Sequence, residues 1–325
     1  MTPGVAIVGC GSIGQKRARA LAGARLVACS DIDRERAEAL ARSVGGAAAM
    51  DDWRAAVARD DVDVVVVATV NSVLASIATG ALNAGKHVLI EKPAARSVDE
   101  IDGVIDAAAR ARRLVRVGFN HRYHPALLKA RQLYDEGALG DMMYVRGRYG
   151  HGGRPGYERE WRANPEIAGG GELLDQGVHL IDLARWFLGD FSRVSGFAPT
   201  YFWDTPVDDN AFLLLRTRDD RVAFLHVSWT EWKNLFSLEI FGRAAKLQID
   251  GLGGSYGVER LTLYKMLPEM GPPETTCWEY PRGDQSWALE FADFLDDIRL
   301  DRPPAAGLPD ARAALAVIEE VYRQP

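Results

Sequence analysis

The chain has 325 residues, 47% of them apolar, and its 39 Lys and Arg against 45 Asp and Glu give a net charge of −6. That length suits about two domains, the apolar share excludes wholesale disorder, and the acidic balance argues against a nucleic-acid or anionic-membrane binder. No run of about 18 apolar residues offers a membrane span, and residues 1–11 lack a cationic leader and a cleavage site, so no signal peptide is expected. Cys10, Cys29 and Cys277 are too few and too scattered for disulfides or a zinc cage, which fits a reducing cytoplasm.

In chain order, an apolar run at 5–9 predicts a strand and the spacing at 13–23 a helix. Between them Gly9-Cys10-Gly11-Ser12-Ile13-Gly14 matches G-x-G-x-x-G. Gly9 permits the tight turn, Gly11 lets backbone amides approach a pyrophosphate, and Gly14 lets helix and strand pack closely. The helix N-terminus adds oriented N–H donors. A second strand, 25–30, runs into Asp31, whose carboxylate can accept from both ribose hydroxyls of a dinucleotide and repels a 2′-phosphate. That favours NAD over NADP. Arg34, which could hold such a phosphate, is read as an exposed residue of the next helix.

Asp33 caps a helix that ends at Gly45-Gly46, and Asp52 opens a short one. The β-branched run 62–68 reads as a strand buried on both faces. A helix at 72–84, a strand at 87–91, a helix opened by the Ser97–Glu100 capping box and a strand at 114–120 follow. The cluster Arg110, Arg112, Arg113 and Arg116 is read as cations at the carbonyl end of that last helix. This alternation predicts a parallel, doubly wound sheet in the six-strand dinucleotide-binding order.

Beyond residue 121 the texture changes. A helix at 124–136 and a strand at 142–149 lead into a glycine-rich stretch, 150–171. A helix at 172–188 follows, then strands at 194–202, 210–217, 221–230, 236–241, 246–250 and 260–266, and helices at 287–300 and 309–322. The expected architecture is α/β: a Rossmann domain, 1–121, and an α+β domain, 122–325, with a large, mostly antiparallel open sheet. Phe212, Leu214, Phe224 and Phe241 cannot all face water, so this sheet is expected to join copies of the chain.

Gly169-Gly170-Gly171 introduces a helix on which Asp175, His179 and Asp182 share one face with Trp186. His179 suits proton transfer near neutral pH; Asp175 can share its proton network and Asp182 can orient the imidazole. Glu91-Lys92-Pro93 falls at the carboxyl edge of the first sheet, where a lysine can stabilise a developing alkoxide, and its Lys-Pro bond can be cis. Taken singly, these are an ordinary core histidine and an ordinary strand-end lysine; their joint occurrence carries the argument. His121, His124 and His151 lack a convincing further ligand, so no metal is expected.

Together and in this order, these features resemble the glucose–fructose oxidoreductase/inositol dehydrogenase (Gfo/Idh/MocA) family. Further matching stretches are Ala68-Thr69, Ala84-Gly85-Lys86-His87-Val88, Gly118-Phe119-Asn120-His121-Arg122 and Trp161-Arg162. The resemblance implies catalytic Lys92, Asp175 and His179. It implies cofactor contacts from Gly9, Gly11, Ser12, Ile13, Gly14, Asp31, Ile32, Thr69, Asn71, Glu91, Lys92, Asn120 and Arg122. Val70 and Leu74 depart from the family pattern near the nicotinamide end. The implied activity is reversible oxidation of a secondary hydroxyl of a sugar, sugar nucleotide, amino sugar or cyclitol by NAD, in a homodimer or homotetramer. Lys92, His151, Arg154, Trp161, Arg162, Asp175, His179 and Trp229 are the expected substrate contacts, through aromatic stacking and arginine grip. Alternatives are an NAD-dependent glycosidase of the same superfamily, a non-catalytic NAD-sensing regulator and a plain two-domain binding protein.

Overall fold

The first apolar run folds as β1 (Gly4–Val8), and the chain then alternates strand and helix, in a computed structural model that describes residues 2–324. The elements are α1 (Ser12–Arg19), β2 (Arg25–Ser30), α2 (Arg34–Val44), β3 (Ala48–Met50), α3 (Trp53–Val57), β4 (Val64–Val67), α4 (Asn71–Asn83), β5 (His87–Ile90), α5 (Val98–Ala111) and β6 (Val115–Val117). The six strands pair in the order β3-β2-β1-β4-β5-β6, all parallel. β4 is buried along its length, as its valines require. Asp33, Asp52 and Ser97 accept backbone N–H groups at the starts of α2, α3 and α5. β3 is three residues long and was not foreseen. The order reverses between β1 and β4, which opens a crevice at the carboxyl ends of these strands.

The chain forms two units. The first takes 2–119 and also 166–169 and 287–312. The division expected at residue 121 therefore needs correcting: Phe291 and Phe294, assigned to the second domain, are fully buried with Val5, Ile7, Leu26 and Val64 in the first unit's core. They belong to α9 (Ser286–Leu300), which follows from α6 (Pro125–Asp135), α7 (Pro165–Ala168) and α8 (Val178–Leu188) and precedes α10 (Leu308–Tyr322). Arg116 is another correction. It lies on β6, fully buried, and pairs with Asp293 and Asp297 of α9 rather than ending a helix in solvent.

The second unit holds a sheet of β7 (Met142–Gly150), β8 (Phe191–Phe197), β9 (Asn210–Thr217), β10 (Val222–Ser228), β11 (Leu235–Gly242), β12 (Ala245–Asp250), β13 (Glu259–Lys265) and β14 (Glu274–Tyr280). The order is β14-β13-β12-β11-β7-β10-β9-β8, antiparallel except for β7 with β10. β8 ends earlier than expected, and β14 was not read because little in it is apolar. α8 covers one face. Leu180 meets Leu225 and Leu238 over Gly147, where any side chain would crowd all three. Each such buried leucine contributes about 1.5–3 kcal/mol.

The other face is open. Leu214, Phe224, Arg146 and Glu239 run across it in one row, with Leu214 55% and Phe224 47% exposed. Phe212 stacks on His226, and Phe241 on Tyr144. No helix of the described residues is long and apolar enough to cross a membrane.

Candidate active site

In the first unit the glycine loop joins β1 to α1, and each glycine has its own reason. Gly9 has φ +96°, and a Cβ there would lie 2.4 Å from the Ala68 carbonyl oxygen. A Cβ on Gly14 would lie 1.9 Å from the Gly9 carbonyl oxygen, so only glycine lets α1 pack on β1. A Cβ on Gly11 would meet nothing within 4 Å. That space lies at the start of α1, whose first N–H groups receive no side-chain cap, and so suits a phosphate group. Asp31 stands at the rim, its Oδ2 accepting from the Cys10 N–H (2.7 Å) and its Oδ1 from that of Asp33 (2.9 Å). The remaining lone pairs can accept ribose hydroxyls. Ile32 beside it is 99% exposed, an apolar surface ready for a flat ring. Arg34 is engaged with Glu38 at 3.0 Å in solvent. These residues fit a dinucleotide with a free 2′-hydroxyl.

At the end of β5, Lys92 is half-buried and its bond to Pro93 is cis. The preceding Glu91 is held by Arg17 of α1, whose Nε donates to it at 2.6 Å and whose Nη1 reaches Glu290 of α9 at 2.5 Å. Arg17 also lies over the Trp287 ring. Burial pushes the Glu290 carboxyl above its ordinary range, Arg17 opposing, while the charge on Glu91 adds to the rise. The expected cofactor role of Glu91 is corrected for its carboxylate, which serves this ion cluster. The Asn71 amide likewise donates to the Ala168 carbonyl at 2.9 Å. Thr69 is half-buried at the end of β4, with its hydroxyl 3.4 Å from the Val70 carbonyl. Val70 takes the cap position of α4, and Leu74 is fully buried.

In the second unit the glycine triplet gives way to a π turn, Leu173–Gly177, before α8 begins. The continuous α-helix expected here is thus interrupted, and the face shared by Asp175 and His179 is set by the wider turn. Asp208 anchors the start: it accepts from the N–H of Gly171 (2.9 Å) and Leu173 (2.7 Å) and from the Tyr322 hydroxyl (2.7 Å). Burial raises the Asp208 carboxyl even against these donors. A Cβ on Gly171 would lie 1.9 Å from the Asp208 carbonyl oxygen, which explains that glycine.

The His179 ring is 4% exposed. It lies flat against His121, ring centroids 3.7 Å apart and planes at 17°, with Tyr149 of β7 edge-on to both. Burial holds the Tyr149 hydroxyl protonated. Asp175 pairs with Arg162 at 3.1 Å, and Arg162 rests on Trp161. His151 accepts the Gly153 N–H; burial lowers its pKa, with Asp175 opposing and Arg162 reinforcing. Gln176 donates to the Tyr256 hydroxyl at 3.1 Å. An imidazole, a carboxylate and a guanidinium are thus gathered with His151 around one patch of the unit.

Other expected residues are placed elsewhere. Asp182 was expected to orient His179, but Arg122 grips it, Nε to Oδ2 at 2.8 Å. That pairing also takes the guanidinium of Arg122 away from a cofactor role, because the 3₁₀ turn Asn120–Tyr123 points it into the core. The Asn120 amide faces His121 and Ser286 instead. Trp229 is 1% exposed, packed with Tyr157, Val207 and Trp203, so its ring is core rather than a sugar platform. Arg154 is exposed and paired with Glu160. Tyr149, Tyr256 and the stacking of His121 have no local signal in the sequence beyond the place of His121 in the matched stretch. Among the described residues no group of three or more His, Cys, Asp or Glu is placed to hold a metal ion.

Residues 4–119 match the family profile described as "Oxidoreductase family, NAD-binding Rossmann fold", and residues 127–248 that of the "GFO/IDH/MocA C-terminal domain". Levoglucosan dehydrogenase of Pseudarthrobacter phenanthrenivorans is 37% identical over 51% of this chain and 43% of its own length. Inositol 2-dehydrogenase 2 of Saccharopolyspora erythraea is 32% identical over 67% and 64%. The chain thus matches less than two thirds of the length of either relative. The inositol 2-dehydrogenase of Salmonella typhimurium is 31% identical over 94% of this chain and 88% of its own. A solved levoglucosan dehydrogenase, in complex with NADH and levoglucosan, has TM-score 0.89 at 25% identity, covering 99% of this chain and 98% of that one. With the glycine loop in its parallel sheet and both profiles matched in order, the first unit is an NAD-binding Rossmann domain, and the chain belongs to the GFO/IDH/MocA oxidoreductase family.

Proposed function

We propose that the protein is an NAD-dependent dehydrogenase that reversibly oxidises a secondary hydroxyl of a sugar, sugar derivative or cyclitol. The observation that carries this reading is the buried His179 imidazole at the start of α8, four residues beyond Asp175 of the π turn, in a family whose named relatives include levoglucosan and inositol dehydrogenases. His179 accepts the hydroxyl proton. Lys92 donates a hydrogen bond to the same oxygen and stabilises negative charge as it develops. Asp175, fixed by Arg162, orients the substrate's neighbouring hydroxyls, and Trp161 offers a ring face. NAD+, when bound, supplies the hydride acceptor.

The deciding experiment is an NAD+ reduction screen with levoglucosan and myo-inositol first, then amino sugars and sugar nucleotides, with His179→Ala as control. Reduction by the wild type and loss by at least about a hundredfold in the variant support the assignment; no reduction with any polyol ends it. Lys92→Ala is expected to cut turnover by a similar factor and leave NADH binding within about twofold. The reading extends to assembly and location: a second copy covers the open sheet face, and the free thiols Cys10, Cys29 and Cys277 suit a reducing cytoplasm.

A further inference from the structure

α1 has eight residues, and Arg17 is the one large side chain that it buries; its other buried positions are Gly14 and Ala18. The lie of α1, and with it the aim of the N–H groups at its start, therefore depends on what holds Arg17. Its Nε donates to Glu91 Oε1 at 2.6 Å, and its Nη2 stands 2.5 Å from the same oxygen. Its Nη1 reaches Glu290 at 2.5 Å, and the guanidinium lies 4.4 Å from the centre of the Trp287 ring. Glu91 is fixed along the backbone as well. Its N–H donates to the Val67 carbonyl of β4, and its carbonyl accepts from the Ala94 N–H, each at 2.9 Å. Lys92 follows directly on this anchored residue. Gly118, just past β6, closes over the pair: a Cβ there would lie 2.8 Å from Arg17 Nη2 and 2.9 Å from Glu91 Oε2. No side chain fits at 118 while the pair keeps its place.

Stability alone does not require this arrangement. A guanidinium buried with carboxylates is often no more stable than well-packed apolar side chains of the same volume. What the ion cluster supplies, and an apolar contact does not, is direction: a planar fork holds its partners at fixed angles. Here the fork joins the helix that offers N–H groups to the cofactor with the residue that precedes the proposed catalytic lysine.

We infer that Arg17 and Glu91 are positioning residues: they set the backbone of Lys92 against α1, so that one buried pair governs both the seat of NAD+ and the placement of the amine that meets the substrate oxygen. The inference rests on the reading of Lys92 as catalytic. It deepens that reading by naming what holds the lysine in place.

The test compares Glu91→Gln with Glu290→Gln in the full chain, by urea unfolding, NADH fluorescence titration and steady-state kinetics on a polyol with which the wild type reduces NAD+. Each variant leaves one guanidinium–carboxylate pair in the core, so both are expected to unfold at similar urea concentrations. Only Glu91 adjoins Lys92. Glu91→Gln is expected to lower kcat at least about tenfold with the polyol KM within about threefold, and Glu290→Gln to keep kcat within about threefold. Arg17→Lys, whose compact ammonium cannot replace the fork, is expected to lower kcat by a similar factor and to weaken NADH binding at least about threefold. Should Glu91→Gln unfold too readily to assay, Gly118→Ala displaces the pair with every charge kept and is expected to reproduce the loss of kcat. Equal changes of kcat in the two glutamine variants overturn the inference, as do wild-type kcat and NADH binding in Arg17→Lys. A wild type that reduces no NAD+, or full turnover in Lys92→Ala, ends the functional reading and the role of the lysine with it. Loss of turnover in Lys92→Ala beside equal glutamine variants ends the inference alone.

Discussion

At the scale of single residues, Gly11 and Gly14 separate folding from binding. A Cβ on Gly14 collides with backbone, so Gly14→Ala must lift α1 from β1 and is expected to cost about 1–3 kcal/mol or more in urea unfolding. A Cβ on Gly11 enters open space at ordinary backbone angles. Gly11→Ala should therefore keep the wild-type unfolding midpoint yet weaken NADH binding at least about tenfold, about 1.4 kcal/mol, by fluorescence titration. A variant that binds NADH normally would remove the phosphate from this loop. Arg17 makes the complementary case for charge. Arg17→Met strands Glu91 and Glu290 in the core and is expected to cost about 3–5 kcal/mol. Glu290→Gln, whose carboxyl is already pushed toward the neutral form, is expected to cost far less; equal losses would refute a paired cluster. The glycines could be read from the sequence because the motif is local. Arg17 could not, because its partner lies 273 residues away.

Among elements, β5 carries a titration set by its surroundings. Burial lowers the pKa of His87 and Arg113 lowers it further, with Asp63 and Asp301 opposing. The ring also accepts the Leu114 N–H at 3.1 Å, which only its neutral form can do. Above the ordinary value of 6.5 the stabilisation is fully present. As pH falls below 6.5 the unfolded chain takes up the proton first, and stability is lost down to the folded value. His87→Gln should narrow the difference in unfolding free energy between pH 8 and pH 5.5; an unchanged difference would count against the assignment. The buried parallel strands and the capped helices around them were legible because apolar runs and Asp or Ser caps are local signals. The π turn was not, since one extra residue in a turn leaves the apolar spacing almost intact. β14 was not, because its exposed residues alternate without an apolar face.

For the whole molecule, the open sheet face makes the proposal of assembly testable. Leu214 and Phe224 sit opposite each other on neighbouring strands, beside Arg146 and Glu239. An apolar centre with a charged pair at its edge has the composition of a protein–protein interface. Leu214→Glu with Phe224→Glu is expected to convert a dimer or tetramer into monomers, seen by analytical ultracentrifugation, with the circular dichroism spectrum unchanged. A wild-type protein that sediments as a monomer would refute the assembly.

The ion cluster that joins Arg17 to Glu290 also sets a clock. The cation is synthesised 273 residues before the anion that completes its shell, a delay of about 14–55 s at roughly 5–20 residues per second. For that interval the nascent first unit also lacks Phe291 and Phe294. Its glycine loop and central strands can form early, but a charged side chain and an apolar surface wait for residues 290–294 to be made. A translation pause before residue 287 would lengthen the time for which this apolar surface is exposed to aggregation.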